Sequence, residues 1–197
     1  MRRFLPLLPL LVACATTPAA SASVTERLLL EVPEGWIKVV DRKVGTLHMS
    51  EYYPATTSDE WTEKITVEAM SGDDLPDPLV FAAGLAEEQS EVCNEFADDG
   101  IFAGFENAYP TTVHLMQCPQ NKRTGRALVT MIKIIQGNAA LYTVTRIWRF
   151  PPMEKDPQTE ALPEIPINHQ AVGGWSHVLS KITVCDDALP AHACPTE

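Results

Sequence analysis

Along residues 28–71 the apolar positions come in short runs. Leu28–Val32 and Trp36–Val40 flank the turn signal Pro33-Glu34-Gly35, and Thr46–Tyr53 runs into Pro54. Ile65, Val67 and Ala69 alternate with Thr66 and Glu68, the period of a half-buried strand. The period then changes. Asp77 is an N-capping type, Pro78 suits the first helical position, and Leu79, Ala82, Ala83, Ala86, Ser90 and Cys93 recur near helical spacing. This predicts a helix with Gly100 at its far boundary. Small residues dominate its stripe, so it can lie close against a sheet.

Strand patterns return with Thr112–Cys118, which ends at Pro119. Arg126–Ile135 and Ala139–Phe150 flank Gln136-Gly137-Asn138 and read as a hairpin. Both of its strands are apolar on each face, the pattern of central strands covered on two sides. Residues 151–166 hold five prolines and read as a loop. Asn168 suits the cap of a last helix carrying Val172, Trp175, Val178, Leu179 and Ile182. The order of elements specifies an α+β fold, a largely antiparallel sheet with helices packed on it. That order, with Pro33, Gly35 and Trp36 after the opening strand and Ser180-Lys181-Ile182 at the end, resembles the PsbP-like α/β/α sandwich over most of residues 28–185. The resemblance implies a non-catalytic binding or assembly role.

The first thirteen residues follow a different logic. Arg2 and Arg3 precede a short apolar stretch, Phe4 to Val12, too short for a hydrocarbon core that needs about twenty residues. It reads as a targeting segment. Ala20-Ser21-Ala22 fits an ordinary secretory cleavage site, which would release a soluble secreted protein. Leu11-Val12-Ala13-Cys14 resembles the lipobox of bacterial lipoproteins, and the apolar run stops immediately before Cys14, which favours this reading. The chain then divides into a signal peptide at 1–13, a lipid-attached tether at 14–25, one globular domain at 26–185 and a tail at 186–197 closed by a disulfide. The resemblance implies several acyl chains on Cys14, which hold a bilayer far better than one. Ala15 is not the aspartate associated with inner-membrane retention in enteric bacteria, so the envelope address favours the outer membrane over the inner.

Five cysteines less Cys14 leave Cys93, Cys118, Cys185 and Cys194, an even number suited to an oxidising compartment. Three connectivities are open. Cys93–Cys118 and Cys185–Cys194 are favoured, the first joining helix end to strand and the second closing a short loop. A rival reading has Cys185, Asp186, Asp187, His192 and Cys194 handling a metal, although no tight Cys-x-x-Cys spacing is present.

The formal net charge is −11, with 15 Lys+Arg against 26 Asp+Glu, which argues against nucleic acid as a partner. Losing Arg2 and Arg3 with the signal peptide makes it −13. The charges are segregated. Residues 51–100 hold fourteen acids and one base, Lys64, whereas residues 107–153 hold no acid and six bases: Lys122, Arg123, Arg126, Lys133, Arg146 and Arg149. Either the blocks neutralise each other within the fold, or the Lys122, Arg123 and Arg126 loop with hairpin residues meets an anionic ligand or protein. Strand alternation puts Lys133 and Arg126 on opposite faces. Trp61, between acids, is the aromatic expected to be most exposed and a candidate contact residue.

The sequence contains no Gly-x-Ser-x-Gly elbow, His-Glu-x-x-His motif or phosphate-binding Gly-x-x-x-x-Gly-Lys. No catalytic residue, metal ligand set or cofactor is therefore assigned. The reading is a non-catalytic lipoprotein facing the periplasm, bound to the bilayer through Cys14 and to a protein or anionic ligand through its domain. A hydrolase whose site assembles only in three dimensions, around His48 or His114, is the alternative. The anchor is directly testable: Cys14→Ser abolishes membrane fractionation and metabolic palmitate incorporation, and undiminished incorporation would defeat the assignment.

Overall fold

The computed structural model describes residues 25–57, 60–153, 155–156, 158–159 and 163–195. Cys14, the signal peptide and the tether up to Val24 lie outside them. Among the described residues no helix is long and apolar enough to cross a membrane.

Strands β1 (Glu26–Leu29), β2 (Trp36–Val44), β3 (Leu47–Pro54) and β4 (Glu63–Ser71) precede helix α1 (Pro78–Val92). Then come β5 (Cys93–Asn94), β6 (Ala97–Glu106), β7 (Tyr109–Cys118), β8 (Gln120–Asn121), β9 (Arg126–Gln136) and β10 (Ala140–Pro152). Helix α2 (His169–Leu179), β11 (Thr183–Asp186) and a 3-10 turn at Pro190–His192 complete the order. Seven strands form one sheet in the order β2-β3-β4-β10-β9-β7-β6, every pair antiparallel. β1 pairs with β11, and β5 with β8, in separate ladders. The α+β expectation holds, and the β9–β10 hairpin is central as its doubly apolar strands require.

The two faces of β9 show how the layers are built. Ala127, Val129, Met131 and Ile135 enter the cluster completed by Trp175 and Leu179 of α2. Ile132 and Ile134 enter the opposite cluster, where Ala82 of α1 is fully buried beside Met116 and Leu141. One helix therefore packs on each face. Both predicted caps form: Asp77 Oδ1 accepts from the Leu79 and Val80 amides, and Asn168 Oδ1 from the Gln170 amide.

Lys133 is the exception in the alternating pattern of β9. It points toward α2, is 1 % exposed, and donates to Leu179 O and Ile182 O at 2.6 Å each and to the Glu106 carboxylate. The ammonium thus sits at the carbonyl end of α2, where a helix favours a cation, and ties that end to the β6 margin. Burial pulls the Lys133 pKa below its ordinary value, against the opposing pull of Glu106. A second buried group closes the hairpin. Glu26 accepts from the Asn138 and Ala139 amides and from the Tyr142 hydroxyl, so close to Gly137 that a Cβ there would strike the carboxylate.

Three expectations are corrected. The first helix stops at Val92, short of Gly100: Cys93 is extended and bonded to Cys118 on β7, while Lys122 Nζ donates to Glu91 O at the helix end. Gly100, at φ +107°, instead sits in a bulge of the unforeseen strand β6, its amide bonded to Asp98. β6 is a sheet margin with much of both faces in solvent, which erases the alternation that reveals strands. The last helix ends at Leu179, so Ile182 belongs to the turn into β11. Both favoured disulfides, Cys93–Cys118 and Cys185–Cys194, are present.

The Lys133 arrangement yields a stability prediction. Lys133→Ala leaves two carbonyls and Glu106 without their cation, and equilibrium urea unfolding should show a loss of about 1–3 kcal/mol.

Candidate functional site

A helix of fifteen residues is about 22 Å long, whereas seven strands span about 29 Å. α1 lies toward β6, β7 and β9, and on its face of the sheet the half built from β2, β3 and the start of β4 is not covered by a helix. There Ile37, Val39, Val40, Tyr53, Pro54, Ala55, Thr57 and Trp61 line a groove of about 350 Å3. A bulge between Lys38 and Val40 turns Val39 outward; Val39 is 59 % and Ile37 51 % exposed.

Trp61 is half-buried, less open than its acidic neighbours suggested. Its ring meets Tyr53 edge-on at 6.4 Å between centroids, with Lys64 at 5.4 Å and Arg149 at 4.8 Å from its own centroid. Lys64 Nζ donates to Glu51 at 2.6 Å, and the Tyr53 hydroxyl to the other Glu51 oxygen at 3.0 Å. Burial works to raise the Glu51 pKa, but the Lys64 ammonium and Tyr53 hydroxyl hold it below its ordinary value. Tyr53 is pushed up to about 12 by burial and by Glu51. Arg149 has no carboxylate partner among the described residues. Arg42, projecting from β2 on the same face, meets the Met49 sulfur at 4.0 Å, and its charge helps to lower the Glu51 pKa. One guanidinium, that of Arg149, thus lies against the groove's Trp61 without an ion pair among the described residues, while Arg42 adds positive charge beside Glu51.

The basic block is otherwise mostly consumed by the fold. Arg126 pairs with Glu60 at 2.8 Å, which brings it to the Trp61 segment, and Arg146 pairs with Glu63 at 2.6 Å. The Arg146 guanidinium also lies 4.9–5.4 Å from the ring centroids of Trp148, Trp36 and Trp175 on the α2 side. Lys122 is engaged at the α1 terminus, whereas the exposed Arg123 side chain makes no ion pair among the described residues. Of the four candidate contacts, the structure unites Trp61 with Arg126 and leaves Lys122 and Arg123 on a separate loop. Sequence reasoning missed Ile37, Val39, Tyr53, Arg42 and Arg149. The only available signal was the mixture of apolar residues with Lys38, Arg42 and Lys43 on a single strand.

The histidines do not assemble a catalytic relay. His48 Nε2 lies 2.7 Å from Asp41 Oδ1, and the Ser50 hydroxyl lies 3.4 Å from that same oxygen. The acid stands between imidazole and hydroxyl, so His48 is not placed to take the Ser50 proton, as a nucleophilic triad requires. His114 is fully buried with Nε2 2.8 Å from Asp98 and Nδ1 unpartnered. The His192 ring stacks on Tyr109 at 4.1 Å, and the Cys185 and Cys194 sulfurs are bonded to each other rather than available to a metal. Among the described residues no group of three or more His, Cys, Asp or Glu side chains is arranged to hold a metal ion.

Two other grooves exist. One of about 990 Å3 runs between Arg27–Glu34, the end of α2 and Cys194–Pro195. Another of about 250 Å3 lies between Asp77–Leu79 and Phe105.

No protein-family model and no curated protein matches the chain. Solved structures show distant likeness. The Ran-binding protein Mog1p of Saccharomyces cerevisiae is 17% identical with a TM-score of 0.49, covering 84% of this chain and 98% of that one. A protein of unknown function from Pseudomonas aeruginosa, PA94, described as a putative regulator, is 12% identical with a TM-score of 0.46, covering 80% and 96%. A mutant form of the protein Mog1 is 15% identical with a TM-score of 0.42, covering 77% and 78%.

The exposed triplet gives a pH prediction. Asp41 is held down to about 2, first by its hydrogen bond from Lys38 and then by His48. A depressed carboxylate contributes stability that is present above its unfolded value and lost as pH falls through the folded one. NMR titration should therefore place the Asp41 midpoint near 2, and His48→Ala should move it up toward the ordinary 3.8.

Proposed function

We propose that the chain is a non-catalytic binding module. It is anchored through acylated Cys14 on the periplasmic side of a bacterial envelope, at the outer rather than the inner membrane, and takes a protein partner on the uncovered half-face around Trp61. One observation carries the docking site: an apolar groove lies open beside Trp61, whose ring is met by an Arg149 guanidinium that has no ion pair among the described residues. Such a combination of aromatic, aliphatic and arginine side chains is typical of the energetic centre of a protein interface. The anchor rests on the run of apolar residues ending at Cys14 and on the even number of cysteines that remain.

The binding reading is favoured over a hydrolase because His48 and His114 line none of the three grooves. It is favoured over metal handling because the tail sulfurs are paired. The Arg123 loop is not part of the proposed site. A photo-crosslinkable phenylalanine placed at Val40 in the anchored protein should give a discrete protein adduct, identified by mass spectrometry, that Trp61→Ala abolishes. The same probe at Arg123 should give none. Equal adducts from both positions would move the site elsewhere.

A further inference from the structure

β2 is a margin of the seven-stranded sheet: it pairs with β3 and, among the described residues, has no strand on its other side. Its outward amides and carbonyls are therefore a template for another strand. After the bulge at Val39, residues 40–44 keep a regular register with β3, from Val40 opposite Glu51 to Val44 opposite Leu47. This segment is regular for long enough to accept a short strand, and it adjoins the apolar groove through Val40.

The side chains along it define what that strand must carry. Arg42 points to the groove side, where its charge acts on a Glu51 carboxylate already paired with Lys64, and Lys43 to the α2 side; neither makes a salt bridge among the described residues. Asp41, the one acid of the strand, is already engaged by Lys38 at 2.9 Å and His48 at 2.7 Å. In a chain of formal net charge −11, the strand that lies open is one of the few places presenting free positive charge. A second copy would bring the same cations, and like charges facing each other across two strands are unfavourable.

We infer, building on the docking face proposed above, that its partner binds as an extended acidic segment. The segment adds to Val40–Val44 as an eighth strand. Main-chain hydrogen bonds supply affinity. Adjacent carboxylates, which point to opposite faces of a strand, reach Arg42 on one side and Lys43 on the other. Apolar side chains of the incoming strand pack on Val40, Ile37 and Val39 toward Trp61.

The test uses the detergent-solubilised full chain and two fluorescent eight-residue peptides of alternating threonine and valine, one interrupted by a central pair of adjacent glutamates and one by a central pair of adjacent lysines, so that each charged pair presents one side chain to either face. Anisotropy should show binding of the glutamate peptide and not of the lysine peptide. Arg42→Glu combined with Lys43→Glu should weaken it about tenfold, since each substitution turns a surface attraction into a repulsion. Both positions are exposed, and an unchanged circular dichroism spectrum verifies folding. Hydrogen exchange of amides in residues 40–44 should slow on binding, with α1 unaffected. Equal affinity for both peptides, or binding without protection of β2, overturns the proposal. So does concentration-dependent protection of β2 without peptide, which identifies a second copy as the occupant. Failure here with an intact Val40 crosslink refutes strand addition alone; failure of both removes the docking face as well.

Discussion

A buried ammonium is tolerable only when its protons have acceptors, and the architecture around Lys133 is arranged to meet that demand. Leu179 and Ile182 present carbonyls from the end of α2, and Glu106 presents a carboxylate from the end of β6. Neither acceptor set is near Lys133 in sequence. Satisfying the charge therefore fixes where α2 stops, where the chain turns into β11, and how the β6–β7 hairpin leans over the sheet. Apolar packing would hold α2 against this face in many positions. The requirement that two carbonyls meet one nitrogen admits very few, since an uncompensated charge at this depth costs several kcal/mol.

The same constraint shapes the opposite face indirectly. With β9 pinned on the α2 side by Lys133, its even-numbered residues Ile132 and Ile134 must face α1. α1 is held there by Ala82 and by the bond from Cys93 to Cys118, which attaches its end to β7. A helix stapled to β7 cannot also cover β2 and β3. The exposed half-face is thus a consequence of how the covered half is secured, and its groove owes its apolar lining to a bulge that rotates Val39 out of the ladder.

The sequence disclosed the interior far better than the margins. β9, β10 and the cap of α1 were legible because burial on two faces, or a defined Asp-Pro start, imposes residue types that no exposed segment needs. β6 was invisible for the converse reason: Asp98, Asp99, Phe102 and Phe105 alternate with nothing because its outer positions face solvent. Four of the eight Trp and Tyr side chains are buried, and they belong to β7, β10 and α2. Trp61 was recognisable as a contact candidate by its setting among acids. Its companions were not, because Tyr53, Ile37 and Arg149 meet only after three strands are placed in register. The pairing of Lys133 with α2 was likewise beyond reach; strand alternation separated it from Arg126 but could not show that its side chain was internal.

Charge segregation between residues 51–100 and 107–153 finds its meaning in the same geometry. Arg126 to Glu60 and Arg146 to Glu63 join the acidic block to the hairpin strands, and His114 to Asp98 joins β7 to β6, so part of the apparent polarity is spent within the sheet. What remains free is informative because so little does. Arg149 belongs to the basic block but is turned toward Trp61 rather than toward an acid, while Arg42 and Lys43 lie outside both blocks on a strand whose only acid is occupied. Among the described residues none of these three cations forms a salt bridge, and the carboxylate nearest in effect to Arg42, Glu51, is already paired with Lys64. That is the physical reason for looking to the β2 margin, rather than to the Lys122–Arg126 loop, for the partner.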